Sequence, residues 1–298
     1  MSSGVVAEVP LTGLSFAGSL AMRQCFGTLS YNHADTWAMH RRVLRPVADR
    51  RLGTPDDEAL GFHVLPWDSS LFGFPVAHVS ADVIHTGRLP RVVESLRAEE
   101  VRLGYISVPW SDAGAAAAIA LVGGRCVDRK VRFRKAVIAG LPKPAGVESV
   151  LGKPCTADLE SLALVSGTYS RFRADPRIPP DLFERLYVAW IHRSMSGEIA
   201  EDVLVVRVED RVSGMVTVVG AHGDAIGVIG LIAVHAGHRG RGYGRRLMLA
   251  AEARCAAHGV PAIEVATQRR NAAACGLYAA CGYEVVRDEA VFHIWLEP

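Results

Sequence analysis

The sequence predicts an α/β (α+β) chain: a mixed, mostly antiparallel sheet with flanking helices, preceded by a smaller α/β unit. Three observations lead there. An apolar run at 228–234 has the length of a buried strand. It is followed by a polar turn at 235–239 and by Gly240, Gly242 and Gly244, which open a helix whose Leu247, Leu249, Ala250 and Ala253 recur at helical spacing. Upstream, apolar segments at 202–208, 212–219 and 225–234 are separated by the short polar turns Glu209-Asp210-Arg211 and Ala221-His222-Gly223-Asp224, the pattern of antiparallel strands. Earlier still, residues 60–138 alternate strand and helix signals in the order β-turn-β-α-β-α-β.

Residues 1–59 carry the weakest signals. Trp37, Val43 and Leu44 lie near one face of a short helix over 34–45 that Pro46 would end, although His40 shares that face. Docking of this extension onto the next domain is its expected role. From residue 60 a strand at 61–65 meets a turn at Trp67-Asp68-Ser69-Ser70, and extended structure resumes at 75–80. A helix at 89–103, a strand at 105–108, an alanine-rich helix at 112–122 and a strand at 131–138 follow. Residues 140–154 hold Pro142, Pro144, Pro154 and three glycines, which reads as a linker. The expected division is therefore an extension at 1–59, an α/β domain at 60–150 and a second domain at 151–298.

The second domain opens with a helix at 157–165 and a turn at Ser170-Arg171-Phe172-Arg173. Pro179-Pro180-Asp181 then starts a helix with Leu182, Phe183, Leu186, Tyr187, Trp190 and Ile191 on one apolar face. After the three antiparallel strands and the glycine-opened helix comes a strand at 262–266. Asn271, an alanine-rich helix carrying Leu277 and Tyr278, a stop at Gly282 and a short strand from Tyr283 complete the chain.

Composition narrows the function. The 298 residues are 50% hydrophobic, enough for a sizeable core, and the net charge of +2 gives no basic footprint for nucleic acid. Six cysteines, at 25, 126, 155, 255, 275 and 281, show no C-x-x-C pairing, which fits reduced thiols in a cytoplasmic protein. The start lacks a signal peptide's basic and apolar regions, and the longest apolar run, 113–124, is too short to span a bilayer. His235 and His238 have no third ligand nearby, so no metal is expected, and no G-x-S-x-G elbow occurs.

Strand, glycine loop and helix form an anion cradle. Glycines permit positive φ and close backbone approach, while the first helical N–H groups lack internal partners and sit at the positive end of the dipole. A P-loop would need Lys-Ser or Lys-Thr after the last glycine, where Arg245 and Arg246 stand. A dinucleotide loop would place G-x-G-x-x-G directly after the strand, and here five residues and G-x-G-x-G intervene.

The run Arg239-Gly240-Arg241-Gly242-Tyr243-Gly244 resembles the R/Q-x-x-G-x-G/A pyrophosphate loop of the GNAT superfamily of acetyl-CoA-dependent N-acetyltransferases. Asn271 through Tyr278, followed by Gly282-Tyr283, is similar to that family's N-x-x-A-x-x-L-Y segment and G-F/Y. This resemblance covers roughly residues 155–298, and the preceding α/β unit resembles half of another such fold. Trp67 to Gly73 and Ser170 to Pro176 together resemble the dTDP-fucosamine acetyltransferase branch, although the first fifty or so residues exceed what that branch leads one to expect.

The resemblance implies direct transfer from acetyl-CoA to a small-molecule amine, foremost a dTDP-linked amino sugar, with no nucleic acid or membrane partner and a homodimer left open. It implies that the backbone at Ile232, Ala233 and Val234 pairs with the pantetheine arm and stabilises the oxyanion. The loop from Arg239 to Gly244 would hold the pyrophosphate. Asn271 would bond the pantetheine amide and Tyr278 would protonate the departing thiolate. The paired arginines of the Ser170-Arg171-Phe172-Arg173 turn lead one to expect that Arg171 or Arg173 reaches the acceptor's diphosphate. Asn271 is equally suited to cap a helix, and Tyr278 to pack in a core. His222, His235 and Glu264 are base candidates by polarity alone. An antibiotic or aminoacyl amine is the alternative acceptor, and a non-catalytic CoA-binding module the alternative function.

Overall fold

A computed structural model describes residues 61–220 and 226–297. The expected helix at 34–45 and the turn bearing His222 lie outside the described residues. The elements run β1 (Phe62–Val64), α1 (Pro66–Phe72), β2 (Val76–Val79), α2 (Asp82–His85), α3 (Leu89–Ala98), β3 (Leu103–Pro109), α4 (Ala113–Leu121), β4 (Arg125–Ala136) and β5 (Glu148–Ser149). They continue with α5 (Ala157–Ser166), α6 (Arg171–Ala174), α7 (Pro180–Met195), β6 (Asp202–Val208), β7 (Arg211–Val219), β8 (Gly227–Val234), α8 (Tyr243–Ala257), β9 (Ala262–Gln268), α9 (Ala272–Ala280) and β10 (Glu284–Trp295).

Several segments differ from expectation. The helix expected over 89–103 ends at Ala98, leaving Leu103 to β3, and the strand expected over 131–138 begins at Arg125. Residues 66–72 form a helix rather than a turn, because Pro66 occupies the first helical turn and Gly73 stops it at φ 76°, its N–H bonded to the Ser69 carbonyl. Arg171–Ala174 likewise closes into one helical turn. The short strand expected from Tyr283 is a twelve-residue strand, long because it pairs on both sides, with β3 and with β4.

All ten strands among the described residues belong to one sheet, ordered β1-β2-β3-β10-β4-β9-β8-β7-β6-β5. The pairings β2–β3 and β8–β9 are parallel and the rest antiparallel, as the expected mixed sheet requires. The order interleaves the two halves of the chain: β10, last in sequence, lies between β3 and β4, and β4 lies between β10 and β9. The sheet thus runs across the linker at 140–154 without a break.

Alternation along each strand sends side chains to two faces, and each face buries its own core. On one face α1, α5, α6 and α7 cover Val203, Val205, Met215, Leu231 and Tyr105. On the other, α8 and α9 cover Val131, Phe133, Ile229, Ile263 and Val265, while α3 and α4 cover Ile106, Val108 and Phe292. Among the described residues, no helix is long and apolar enough to cross a membrane.

Candidate active site

The site begins where two parallel strands part. β8 and β9 pair at Gly227 with Ile263, Val228 with Glu264 and Ile229 with Val265, and no further. Beyond that point β8 is held by β7 alone and β9 by β4 alone. A β-bulge lies at the parting, since two steps along β7, Val216 to Val218, match three along β8, Ile232 to Ile229. Thr217 secures it: the buried Leu231 N–H donates to the Thr217 hydroxyl at 2.8 Å.

The bulge sets which backbone groups face the cleft. The His235 N–H donates to the Ser213 carbonyl on β7, so by the alternation of an antiparallel ladder Ala233 also faces β7. Ile232 and Val234 therefore turn their N–H and C=O groups toward the β9 side, where pairing has ended. The Val234 carbonyl accepts from Arg239 Nε at 3.2 Å, so that arginine folds back over the strand end.

The glycine loop follows directly. Gly240 and Gly242 have φ of 75° and 81°, a conformation glycine adopts freely, and a Cβ on either would meet nothing within 4 Å, so open space lies beside this backbone. Gly242 caps α8, whose first i→i−4 bond runs from the Arg246 N–H to the Gly242 carbonyl. The N–H groups of Tyr243, Gly244 and Arg245 therefore precede the first helical bond, at the positive end of the helix dipole, flanked by Arg241, Arg245 and Arg246. Gly244 serves packing as well, because a Cβ there would come within 3.1 Å of Leu277 on α9.

Asn271 caps α9, its Oδ1 accepting from the Ala274 N–H at 3.3 Å while its Nδ2 donates to Thr267 at 3.2 Å. Tyr278 is buried against Phe133 and Tyr283, with ring centroids 5.5 and 6.4 Å away, and burial raises its pKa. Of the base candidates, Glu264 is committed to Arg132 and Arg134 at 3.2 and 2.5 Å. His235 is exposed, and its Nδ1 caps the turn at the Gly237 N–H. Cys281 sits half-buried with its thiol pKa raised, first by burial, which disfavours the thiolate a covalent route would need.

The two arginines of the 170–176 segment diverge. Arg171 turns inward, its guanidinium carbon 4.0 Å above the Tyr105 ring, whereas Arg173 is exposed beside Phe183. The 66–73 and 170–176 segments meet in space: the Phe72 and Phe172 rings are 6.3 Å apart, and Arg171 acts electrostatically on Asp68.

Sequence reasoning missed several polar groups on this face. Asp175 accepts from His293 Nδ1 at 2.6 Å and Trp295 Nε1 at 2.8 Å. Asp128 and Lys130 lie on the part of β4 before the expected strand start. A signal was present, since residues 130–134, Lys-Val-Arg-Phe-Arg, alternate charged and apolar with period two. Elsewhere among the described residues, Cys155, Glu160 and His192 bring three potential ligand atoms within 4.8 Å of one another, and a His192–Glu160 hydrogen bond of 2.7 Å accounts for much of that proximity.

Residues 168–283 match the family model described as Acetyltransferase (GNAT) family. No curated protein sequence matches the chain. Among solved structures, the chain is similar to a GCN5-related N-acetyltransferase from Sphaerobacter thermophilus, at 17% identity and TM-score 0.52 over 80% of this chain and 76% of that one. It is also similar to a functionally unknown conserved protein from Staphylococcus epidermidis ATCC 12228, at 12% identity and TM-score 0.53 over 86% and 98%. At such identities the shared feature is the fold. The family match is confined to residues 168–283, under half of the chain, and the likeness to these solved structures is one of fold.

Proposed function

We propose that the protein is an acetyl-CoA-dependent N-acetyltransferase that passes the acetyl group directly to the amine of a small acceptor. The observation that carries this reading is the parting of β8 and β9 immediately before the glycine loop. A pyrophosphate on the N–H groups of Arg241 to Gly244 leaves the pantetheine arm to run back along Val234 and Ile232, completing the interrupted ladder. The thioester then falls near the bulge, where fixed N–H donors favour the oxyanion of the tetrahedral intermediate. A neutral amine attacks the carbonyl carbon, the C–S bond breaks, and Tyr278 gives its proton to the departing thiolate. Asn271 holds the arm's amide from the start of α9.

For the acceptor we infer a nucleotide-linked amino sugar, on the resemblance of the 67–73 and 170–176 segments to the dTDP-fucosamine branch and on their meeting at Phe72 and Phe172. Of the two arginines, Arg173 is exposed and available to a diphosphate. The test is to follow thiol release from acetyl-CoA with purified full-length protein, offering dTDP-linked amino sugars, aminoglycoside antibiotics, aminoacyl amines and simple alkyl amines. Turnover restricted to the nucleotide sugars supports the whole reading, and turnover with another amine keeps the transferase and replaces the acceptor. Acetyl-CoA binding by calorimetry without turnover on any amine would leave a CoA-binding module.

A further inference from the structure

Buried polar groups gather between the sheet and the helices α1 and α6. Asp68 and Arg171 hydrogen-bond with Tyr105, Ser170 with Tyr187 and Gln268 with Asp128, while Asp128 Oδ1 and His293 Nε2 are left without a partner. Asp68 is 1% exposed, Tyr105 2%, Asp128 7% and His293 0%, so bulk water does not satisfy them. Strand register explains the gathering. Tyr105 stands opposite His293 with rings 4.9 Å apart, Asp128 stands opposite Val291 on the same face, and Lys130 is flanked by Glu289 on β10 and Gln268 on β9. A buried polar atom without a partner has lost its bonds to water without replacement, so Asp128 Oδ1 is an open acceptor in a polar surrounding. A polar guest completes such a patch.

The patch reaches the cleft through Gln268. That residue ends β9, three positions beyond Val265, where β9 has already left β8, and its side chain hydrogen-bonds toward Asp128. Asp68 is a buried residue of α1, and Asp128 lies one strand from the open cleft.

We propose that Asp128, supplied by β4 from the first half of the chain, is the carboxylate that receives the acceptor's ammonium group and takes its proton. The assignment rests on the transferase reading above. The freed lone pair forms the N–C bond, the C–S bond breaks with its electron pair on sulfur, and the second nitrogen proton passes to that sulfur by way of Tyr278. Amide, CoA thiol and the Asp128 carboxylic acid result, and the last releases its proton to water. Burial pushes Asp128 up to about 6, against the pull of Gln268, Arg270, Arg171 and Lys130, so it is ionised above that pH yet more basic than an ordinary aspartate. Burial also pushes Lys130 down to about 7, which lessens its competition with the ammonium near neutrality. Tyr187 on α7, raised to about 12 by burial, stays neutral beside it.

The test compares full-length wild type with Asp128→Asn, using whichever amine gives the fastest thiol release in the screen above. The variant is expected to lose roughly 10²–10⁴-fold in kcat/KM for the amine and to lose the acidic limb near pH 6, while calorimetry shows unchanged acetyl-CoA affinity. A folded variant within threefold of wild type that retains that limb overturns the assignment. If Asp128→Asn fails to fold, Arg270→Ala serves instead. Removing this exposed cation raises the Asp128 pKa, so the acidic limb moves to higher pH, and an unmoved limb overturns the assignment. A wild type that neither binds acetyl-CoA nor releases thiol with any amine overturns the transferase reading itself, an outcome distinct from a working wild type matched by its Asp128 variant.

Discussion

Asp175 joins the two ends of the second half through one buried carboxylate. One oxygen accepts from His293 and Trp295 on β10, and the other accepts from the Arg177 N–H at 2.9 Å. Burial alone would raise its pKa, but the hydrogen bonds from His293 and Trp295 outweigh it and hold the group at about 2. A depressed carboxylate contributes stability that is present above its ordinary value of 3.8 and lost as pH falls toward 2. Asp175→Asn should therefore cost about 2–4 kcal/mol at pH 7, on the usual strength of charge-assisted bonds, and should flatten the fall in stability between pH 4 and 2. Urea titrations across that range measure both effects, and parallel curves for variant and wild type would contradict the account. Tyr278 tests chemistry at the same scale. Removing its hydroxyl keeps the ring against Phe133, so Tyr278→Phe should lower kcat roughly 10²-fold with little change in KM for acetyl-CoA. Lowered thermal stability with kcat within threefold would make the tyrosine purely structural.

Between single residues and the whole sheet lies the unit of β8, loop and α8, where each part depends on its neighbour. The bulge turns Ile232 and Val234 into the cleft, and Thr217 secures the bulge. Thr217→Val keeps the shape and removes the acceptor of the Leu231 N–H, which should cost about 1–3 kcal/mol for an unsatisfied buried donor. If the bulge positions the oxyanion donors, kcat should fall more than that stability loss explains, and kinetics alongside a melting curve separate the two. At the loop, Gly242→Asp adds a Cβ at a φ of 81° and a negative charge beside the proposed pyrophosphate site. Acetyl-CoA binding should weaken at least tenfold, about 1.4 kcal/mol. Unchanged calorimetric affinity in a folded variant would move the pyrophosphate elsewhere.

The interleaved sheet makes the molecule harder to divide than its linker suggests. β9 keeps only three residues of pairing with β8, and its long partner is β4, from before the linker. β10 is held on both sides by strands of the first half. A fragment of residues 151–298 would therefore expose one long edge on β9 and leave β10 without either partner, besides uncovering Val131 and Phe133's contacts beneath α9. We expect that fragment to aggregate or remain partly unfolded by circular dichroism, and co-expression with residues 43–150 to rescue it. A soluble, cooperatively melting fragment would show that the second half folds alone.

The helices after the glycine loop and after Asn271, with their caps, were legible because each is local: turn, cap and helix lie within a few residues. The order of strands in the second half was legible for the same reason, through period-two runs and polar turns. The bulge and the parting of β8 from β9 were not, since they are properties of backbone register and their side chains are ordinary core residues. The 66–72 helix was read as a turn because its polar residues outweighed the Pro66 and Gly73 signals that bound it. Arg171 and Arg173 stand two apart in sequence, yet one points inward and the other outward, because packing against Tyr105 decides the direction. Asp128, His293 and Asp68 come from segments more than fifty residues apart. Only the interleaved sheet sets Asp128 and His293 on the face that α1, with Asp68, covers, and no local pattern encodes which strand will lie beside which.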